Sequence, residues 1–262
     1  MKNLLPILFM GTCMFSCNNA TKQVEVAKNS DWTAQNLKGI VQTMESSNYT
    51  PDSTGKTSTM DSCCISVDEF DKNGYQSVSS KKDSKGTITE STSMIHYDKG
   101  QMKSITTTKN GKPFNRFDIQ IDKDGKYSGG QETDSAGKKS FFYTGLKEND
   151  YGAVTTGTRH KADSSIDGVF ENDYVNATQV AGRYRDSSGK EVYNSKSELN
   201  DKGDVVKTME MNVAKDSTTN TVTTYKYDSY DEQGNWTQRT NYDEKGKATK
   251  VVKRTFTYYK KD

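Results

Sequence analysis

The sequence predicts an all-β protein, an antiparallel meander of roughly a dozen strands in hairpin repeats that forms an open or single-layer curved sheet. Three observations predict it: a recurring turn unit, segments of alternating polarity between the turns, and a strand-favouring composition. The unit is Asp-x-x-Gly, as in Asp71-Lys72-Asn73-Gly74, Asp83-Ser84-Lys85-Gly86, Asp122-Lys123-Asp124-Gly125 and Asp134-Ser135-Ala136-Gly137, and again at 186–189, 231–234 and 243–246. Asp accepts backbone N–H bonds and starts a type I turn. Gly then takes the left-handed conformation that closes a hairpin with a bulge. From Gly74 the turn glycines follow at Gly86, Gly100, Gly111, Gly125 and Gly137, so alternate turns recur every 25 or 26 residues. Such regular punctuation marks an all-β chain whose turns alternate between two ends.

The N-terminus reads differently. Lys2 precedes an apolar run from Leu4 to Phe15 that is interrupted only by Thr12. That run is too short to cross a bilayer, which takes about 20 apolar residues, and it has the form of a secretory signal. Met14-Phe15-Ser16-Cys17 resembles the lipobox of bacterial lipoproteins. The resemblance implies cleavage before Cys17 and a diacylglycerol on its thiol; Cys13, after Thr12, is the weaker alternative. Two or more acyl chains give stable anchoring. The polar stretch from Asn18 to Ser30 reads as a tether. The expected organisation is a signal peptide over 1–16, a lipid anchor and flexible tether over 17–30, and a β-hairpin repeat domain over 31–262.

Within that domain Phe117, Ile119 and Ile121 share one strand face, with Arg116, Asp118 and Gln120 opposite. Trp236, Gln238, Thr240 and Tyr242 share another, and Val252, Arg254, Phe256 and Tyr258 line up near the end. Other strands, such as Met102 to Lys109, carry polar residues on both faces and suit a sheet wetted on both sides. The stretch from Gly145 to Tyr184 breaks the rhythm. It reads as further irregular hairpins or as a join between two sheet halves, and it is where a binding groove is looked for first.

Composition bounds the function. Hydrophobic residues are 31% of the chain, which is low. Aromatics at 10%, with 15 Tyr and 3 Pro, argue for a folded, strand-rich chain with a thin core. Net charge is +2 with no basic stripe, so no nucleic-acid partner is implied. Cys63 and Cys64 are neighbours and would point to opposite faces of a strand. They suit neither a metal site nor an easy disulfide, and a vicinal disulfide is the rarer alternative.

Tyr227-Asp228-Ser229-Tyr230-Asp231-Glu232-Gln233-Gly234-Asn235-Trp236, continuing through Asn241-Tyr242-Asp243-Glu244-Lys245-Gly246-Lys247, is similar to the tyrosine–aspartate hairpin repeats of the RHS class. The opening Leu37-Lys38-Gly39-Ile40-Val41-Gln42-Thr43-Met44-Glu45 resembles the first strand of Bacteroidetes lipoproteins that carry such repeats. The resemblance implies a β-meander in a cell-envelope setting, and it does not imply toxin activity. Asp52-Ser53-Thr54, Asp134-Ser135-Ala136 and Asp216-Ser217-Thr218 look like Bacteroidetes O-glycosylation sites, with Ser53, Ser135 and Ser217 as acceptors.

No zinc motif, phosphate loop, nucleophile elbow or paired Cys-x-x-Cys occurs. No catalytic residue, metal or cofactor is therefore assigned. His96 and His160 read as exposed strand histidines. Gln120 to Gln131 is a hairpin rather than a calcium loop, which needs a bidentate Glu at its twelfth position. Trp236, Tyr242, Tyr258 and Tyr259 are the candidate ligand-binding residues, by stacking on a sugar or partner, unless they pair across strands.

These readings converge on a non-enzymatic cell-envelope lipoprotein, a binding or structural scaffold for protein or glycan. It would be held to the outer membrane by its N-terminal lipid, on a side the sequence leaves open. A lipid or lipoprotein carrier on a curved half-barrel is the first alternative. It requires an apolar concave face, for which Phe117, Ile119, Ile121, Met209, Met211 and Val213 are available. An envelope hydrolase is the second, and it requires a site the sequence does not display.

Overall fold

The computed structural model describes residues 27–52, 57–61, 63–214 and 217–260. The signal segment, Cys17 and Ser53 lie outside the described residues. The chain forms β1 (Val41–Pro51), β2 (Thr57–Met60), β3 (Cys63–Phe70), β4 (Gln76–Asp83), β5 (Ile88–His96) and β6 (Met102–Lys109). Next come β7 (Lys112–Ile121), β8 (Tyr127–Asp134), β9 (Lys139–Glu148), β10 (Val154–Lys161), β11 (Ile166–Val175) and β12 (Thr178–Asp186). The last are β13 (Glu191–Leu199), β14 (Val205–Ala214), β15 (Ser217–Tyr230), β16 (Trp236–Tyr242) and β17 (Ala248–Tyr258).

Each strand from β3 onward pairs antiparallel with the next, as the turn spacing predicts. The sheet does not stay open, however. β1 pairs with β17 on one side (Met44↔Phe256) and with β3 on the other (Met44↔Asp68). β2 lies end to end with β3 along β1 (Tyr49↔Met60), so 16 strands complete a closed barrel. The expectation of an open or single-layer curved sheet of about a dozen strands is therefore overturned. Unpaired edges are templates for aggregation, and closure removes them. The extra strands come from segments without the full turn unit. In the stretch from 145 to 184, Asn149 replaces Asp and accepts from Tyr151 N at 2.9 Å and Ala153 N at 3.1 Å. Ser164 at φ 72° and Asn176 at φ 56° stand where Gly would. The apparent break is thus a run of ordinary hairpins. Cys64, at φ 83°, is disulfide-bonded, against the preferred unbridged reading.

The turns alternate between two mouths. Gly74, Gly100, Gly125, Gly152, Gly203 and Gly234 belong to one; Gly86, Gly111, Gly137, Gly189 and Gly246 belong to the other. The N-terminal segment lies across the first. Ser30 caps the single helical turn α1 (Asp31–Ala34) by accepting from Thr33 N at 3.3 Å. From there the segment reaches hairpins around the ring. Asn29 Nδ2 donates to Lys99 O at 3.3 Å, Gln76 N donates to Asp31 Oδ2 at 2.6 Å, Asn36 Nδ2 donates to Lys202 O at 3.0 Å, and Lys38 N donates to Asn235 Oδ1 at 2.8 Å. Asn29 and Ser30, assigned to the tether from sequence, are held in this plug. The buried cluster of Trp32, Leu37, Val41, Met44 and Phe70 sits here, at a mouth.

Met44 and Phe256 lie at this plug, so their strand faces point inward. Following the register from them separates the two faces of the wall. Phe117 and Ile119 face the lumen, whereas Arg116 and Asp118 face out, as the alternation predicts. Met209 and Met211 pair with Lys196 and Asn194 and face out with Val213, so they are lost to any concave apolar face.

Candidate functional site

The lumen is lined by aromatics laid over strand glycines. Phe117 covers Gly130, Phe170 covers Gly157 and Tyr184 covers Gly168; a Cβ on any of these glycines would meet the ring at 2.7, 2.7 and 2.5 Å. Tyr143 stands edge-on between Phe117 and Phe170, at centroid distances of 5.2 and 6.4 Å. Arg159 lies over the rings of Phe141 and Tyr184 at 4.6 and 5.1 Å. Asp167 holds it, accepting from Arg159 Nε at 2.7 Å and from the Tyr184 hydroxyl at 2.5 Å.

This wall bounds a cavity of about 380 Å³ lined by Met102, Phe117, Ile119, Tyr127, Tyr143, Leu146, Val154 and Phe170. Pockets for small molecules are mostly apolar and begin near this size. A second space of about 230 Å³ adjoins it under the plug and shares Met102 and Tyr127. Burial raises the Tyr127 phenol to about 12, although its oxygen accepts from Met102 N at 2.6 Å. The irregular stretch from 145 to 184 contributes Leu146, Val154 and Phe170 to the cavity.

Asp31 and His96 meet beside the smaller space, with Nε2 3.8 Å from Oδ2. The His96 side chain is 14% exposed and its ring lies 5.1 Å from that of Tyr75, so it is not the exposed strand histidine expected. A register shift at Ile95/His96 turns it toward the plug. Burial raises the Asp31 pKa against the opposing bond from Gln76 N and the proximity of His96. His160 pairs with Phe142 on the outer face, stacked on that ring at 4.6 Å, with Nε2 2.9 Å from Thr144 Oγ1. Among the described residues no group of His, Cys, Asp and Glu side chains is arranged to hold a metal.

The four aromatics picked from sequence are not brought together. Trp236 is buried in the wall, with the guanidinium of Arg254 3.6 Å from its ring centroid. A bulge between Ser229 and Tyr230 breaks the alternation that grouped it with Gln238, Thr240 and Tyr242. Tyr242 pairs with Thr224 on the outer face. Tyr258 and Tyr259 serve the plugged mouth. Tyr258 donates to Asp231 and accepts from Asn235 Nδ2 at 2.8 Å, and Tyr259 donates to Phe70 O at 2.6 Å. Ser135 and Ser217 are exposed at the far mouth. The lumen aromatics themselves were not assigned from sequence. Their signal is the glycines inside strands at 130, 157 and 168, since a strand glycine marks a close approach.

The outer wall is polar. Arg183 reaches Asp173 at 3.2 Å, Arg185 reaches Glu171 at 3.1 Å and Lys207 reaches Glu198 at 3.4 Å, all outside the barrel. A membrane-spanning barrel needs an outward apolar band about 25 Å tall. On strands β11–β14 that face carries these ion pairs beside Met209, Met211 and Val213.

No family model matches the chain, and no curated protein matches it. Among solved structures it is similar to a porin-like protein from Bacteroides uniformis ATCC 8492, at 14% identity and a TM-score of 0.53, covering 83% of this chain and 96% of that one. That likeness shows the barrel fold. A structure of TcdB2-TccC3 matches at 12% identity, over 75% of this chain and 12% of that one, with a TM-score of 0.29 that supports no argument.

Proposed function

We propose that this protein is a non-enzymatic envelope lipoprotein that carries a small, mainly apolar or aromatic ligand inside its lumen. The observation that carries the reading is the aromatic wall of the lumen: Phe117, Tyr143, Phe170 and their neighbours line a cavity, behind an outer face that carries the Arg183–Asp173 and Arg185–Glu171 ion pairs. A water-facing outer wall and a retained aromatic interior suit a carrier better than a pore. The closed ring has no free sheet edge, so a scaffold for protein or glycan would have to work through the outer wall alone. The lipid on Cys17 would hold the barrel at the outer membrane. The disulfide at Cys64 supports an oxidising compartment. The modification of Ser135 and Ser217 stays part of this reading, and both are accessible to a transferase.

The test is native mass spectrometry of the protein released from its own membranes, together with a titration by a hydrophobic fluorophore. The expected result is a co-purified small molecule and saturable binding that Ile119→Trp, which enlarges a side chain lining the cavity, weakens at least tenfold. Unchanged binding by that variant, with its fold intact by circular dichroism, overturns the reading.

A further inference from the structure

On the other side of the lumen, β16 and β17 carry two guanidinium groups without an acid. Arg239 and Arg254 face inward, and their ring contacts converge on Trp236 at 4.9 and 3.6 Å from its centroid. Arg239 also covers Tyr225 at 4.4 Å. The Nε of each is buried without a hydrogen-bond partner, and so is the nearby Oδ1 of Asn241. Neither arginine enters an ion pair among the described residues.

The carboxylates whose fields reach Arg254, Asp68 and Asp204, are engaged elsewhere. Asp68 accepts from Gln76 Nε2 at 2.7 Å and Ser79 Oγ at 2.6 Å. Asp204 accepts from Asn36 Nδ2 at 2.9 Å and the Tyr230 hydroxyl at 3.1 Å. Burial, reinforced by the charge of Arg239, lowers the Arg254 pKa to about 9. Two like charges held side by side and half-buried are costly without a counter-ion. Arg159 in the same lumen has Asp167, so the absence of an acid here is local to this wall. Guanidinium forks recognise oxyanions through paired, charge-assisted bonds. The pair is separated from the aromatic cavity of β6–β11 by four strands in either direction around the ring, so the two line opposite walls.

We propose that Arg239 and Arg254, seated on Trp236, form a subsite in the lumen for the carboxylate head of an amphipathic ligand whose apolar part occupies the facing aromatic cavity. This rests on the lumen-binding reading and narrows it to a ligand class.

The experiment is calorimetric titration of the full mature chain with dodecanoate and with dodecanol. The proposal expects dodecanoate to bind at least tenfold more tightly than dodecanol. Arg254→Met and Arg239→Met should each lower that ratio severalfold, while Arg185→Met on the outer wall leaves it unchanged. Equal binding of the two probes to the unaltered chain would make the arginines a structural stack and overturn the subsite, while leaving lumen binding intact. Acetate competing as strongly as dodecanoate would identify a free-anion site and overturn the amphiphile. Binding of neither probe would remove the lumen reading and the subsite together.

Discussion

At the plugged mouth, Gly74 lies beneath the indole of Trp32, where an added Cβ would meet the ring at 2.5 Å; at the far mouth, Gly86 has nothing within 4 Å. The two turns are otherwise the same device. Asp71 Oδ1 accepts from Asn73 N at 2.8 Å and Tyr75 N at 2.9 Å, and Asp83 Oδ1 accepts from Lys85 N and Thr87 N, both at 2.9 Å. Both glycines sit at positive φ, 88° and 83°. The hairpins are therefore set by local chemistry at both ends, and tertiary packing distinguishes the ends afterwards. One mouth is a small hydrophobic core crossed by the N-terminal segment. The other is a ring of solvated turns, at which Ser135 and Ser217 are exposed.

The largest expected difference between the ends comes from truncating one aromatic at each. Trp32→Ala empties the centre of the plug and should cost about 3–5 kcal/mol, the usual range for a buried Trp. Phe114→Ala, at the far mouth, removes a ring that is 46% exposed and has Lys109 Nζ 3.7 Å from its centroid. It should stay within about 0.5 kcal/mol, as surface changes do. Urea unfolding of both variants measures the gap. Equal losses would mean that the plug adds nothing to the barrel's stability.

A smaller difference separates Gly74→Ala from Gly86→Ala. Each puts a Cβ on a left-handed backbone, at about 1–2 kcal/mol. Only Gly74→Ala must also push the indole aside, so its melting temperature should fall clearly further. Matching shifts would place Trp32 away from this turn in solution.

The same contrast explains what the sequence could disclose. Asp71 to Gly74 and Asp83 to Gly86 are legible because their bonds span only four residues. The closing pair Met44↔Phe256 joins the two ends of the chain and leaves no periodic trace, so the barrel reads as an open sheet. Trp236 was grouped with Thr240 by strict alternation, and the hairpin bulge turned it inward. The lumen wall was half legible. Phe117 and Ile119 alternate correctly, but which side was interior depended on closure. Arg254 aligned with Val252 and Phe256 without any sign that it lacked an acid. Asn29 and Ser30 read as the end of a tether because Asn29 acts through a hydrogen bond to Lys99 O in a distant turn and Ser30 through the cap of a single helical turn, and such bonds carry no hydrophobic pattern.

The finest test of the two mouths uses pH. Asp31 has its pKa raised from 3.8, first by burial and further by the nearby Asp71, against the bond from Gln76 N and the charge of His96. A carboxyl that is raised in the folded state binds its proton more tightly there than in the unfolded chain. Its contribution to stability is therefore greatest below the unfolded value and declines as pH rises through the folded one. Asp31→Asn keeps an oxygen for Gln76 N and removes the titration. The variant should gain melting temperature relative to the parent as pH rises from about 3 to 6, a trend the paired measurement isolates from the other carboxylates. Asp83→Asn, the matching change in a turn of the far mouth, is measured alongside it as the control. A parent that instead gains on Asp31→Asn over the same range would show that His96 and Gln76 outweigh burial at the plug, and that the pair at the mouth is a stabilising ion pair.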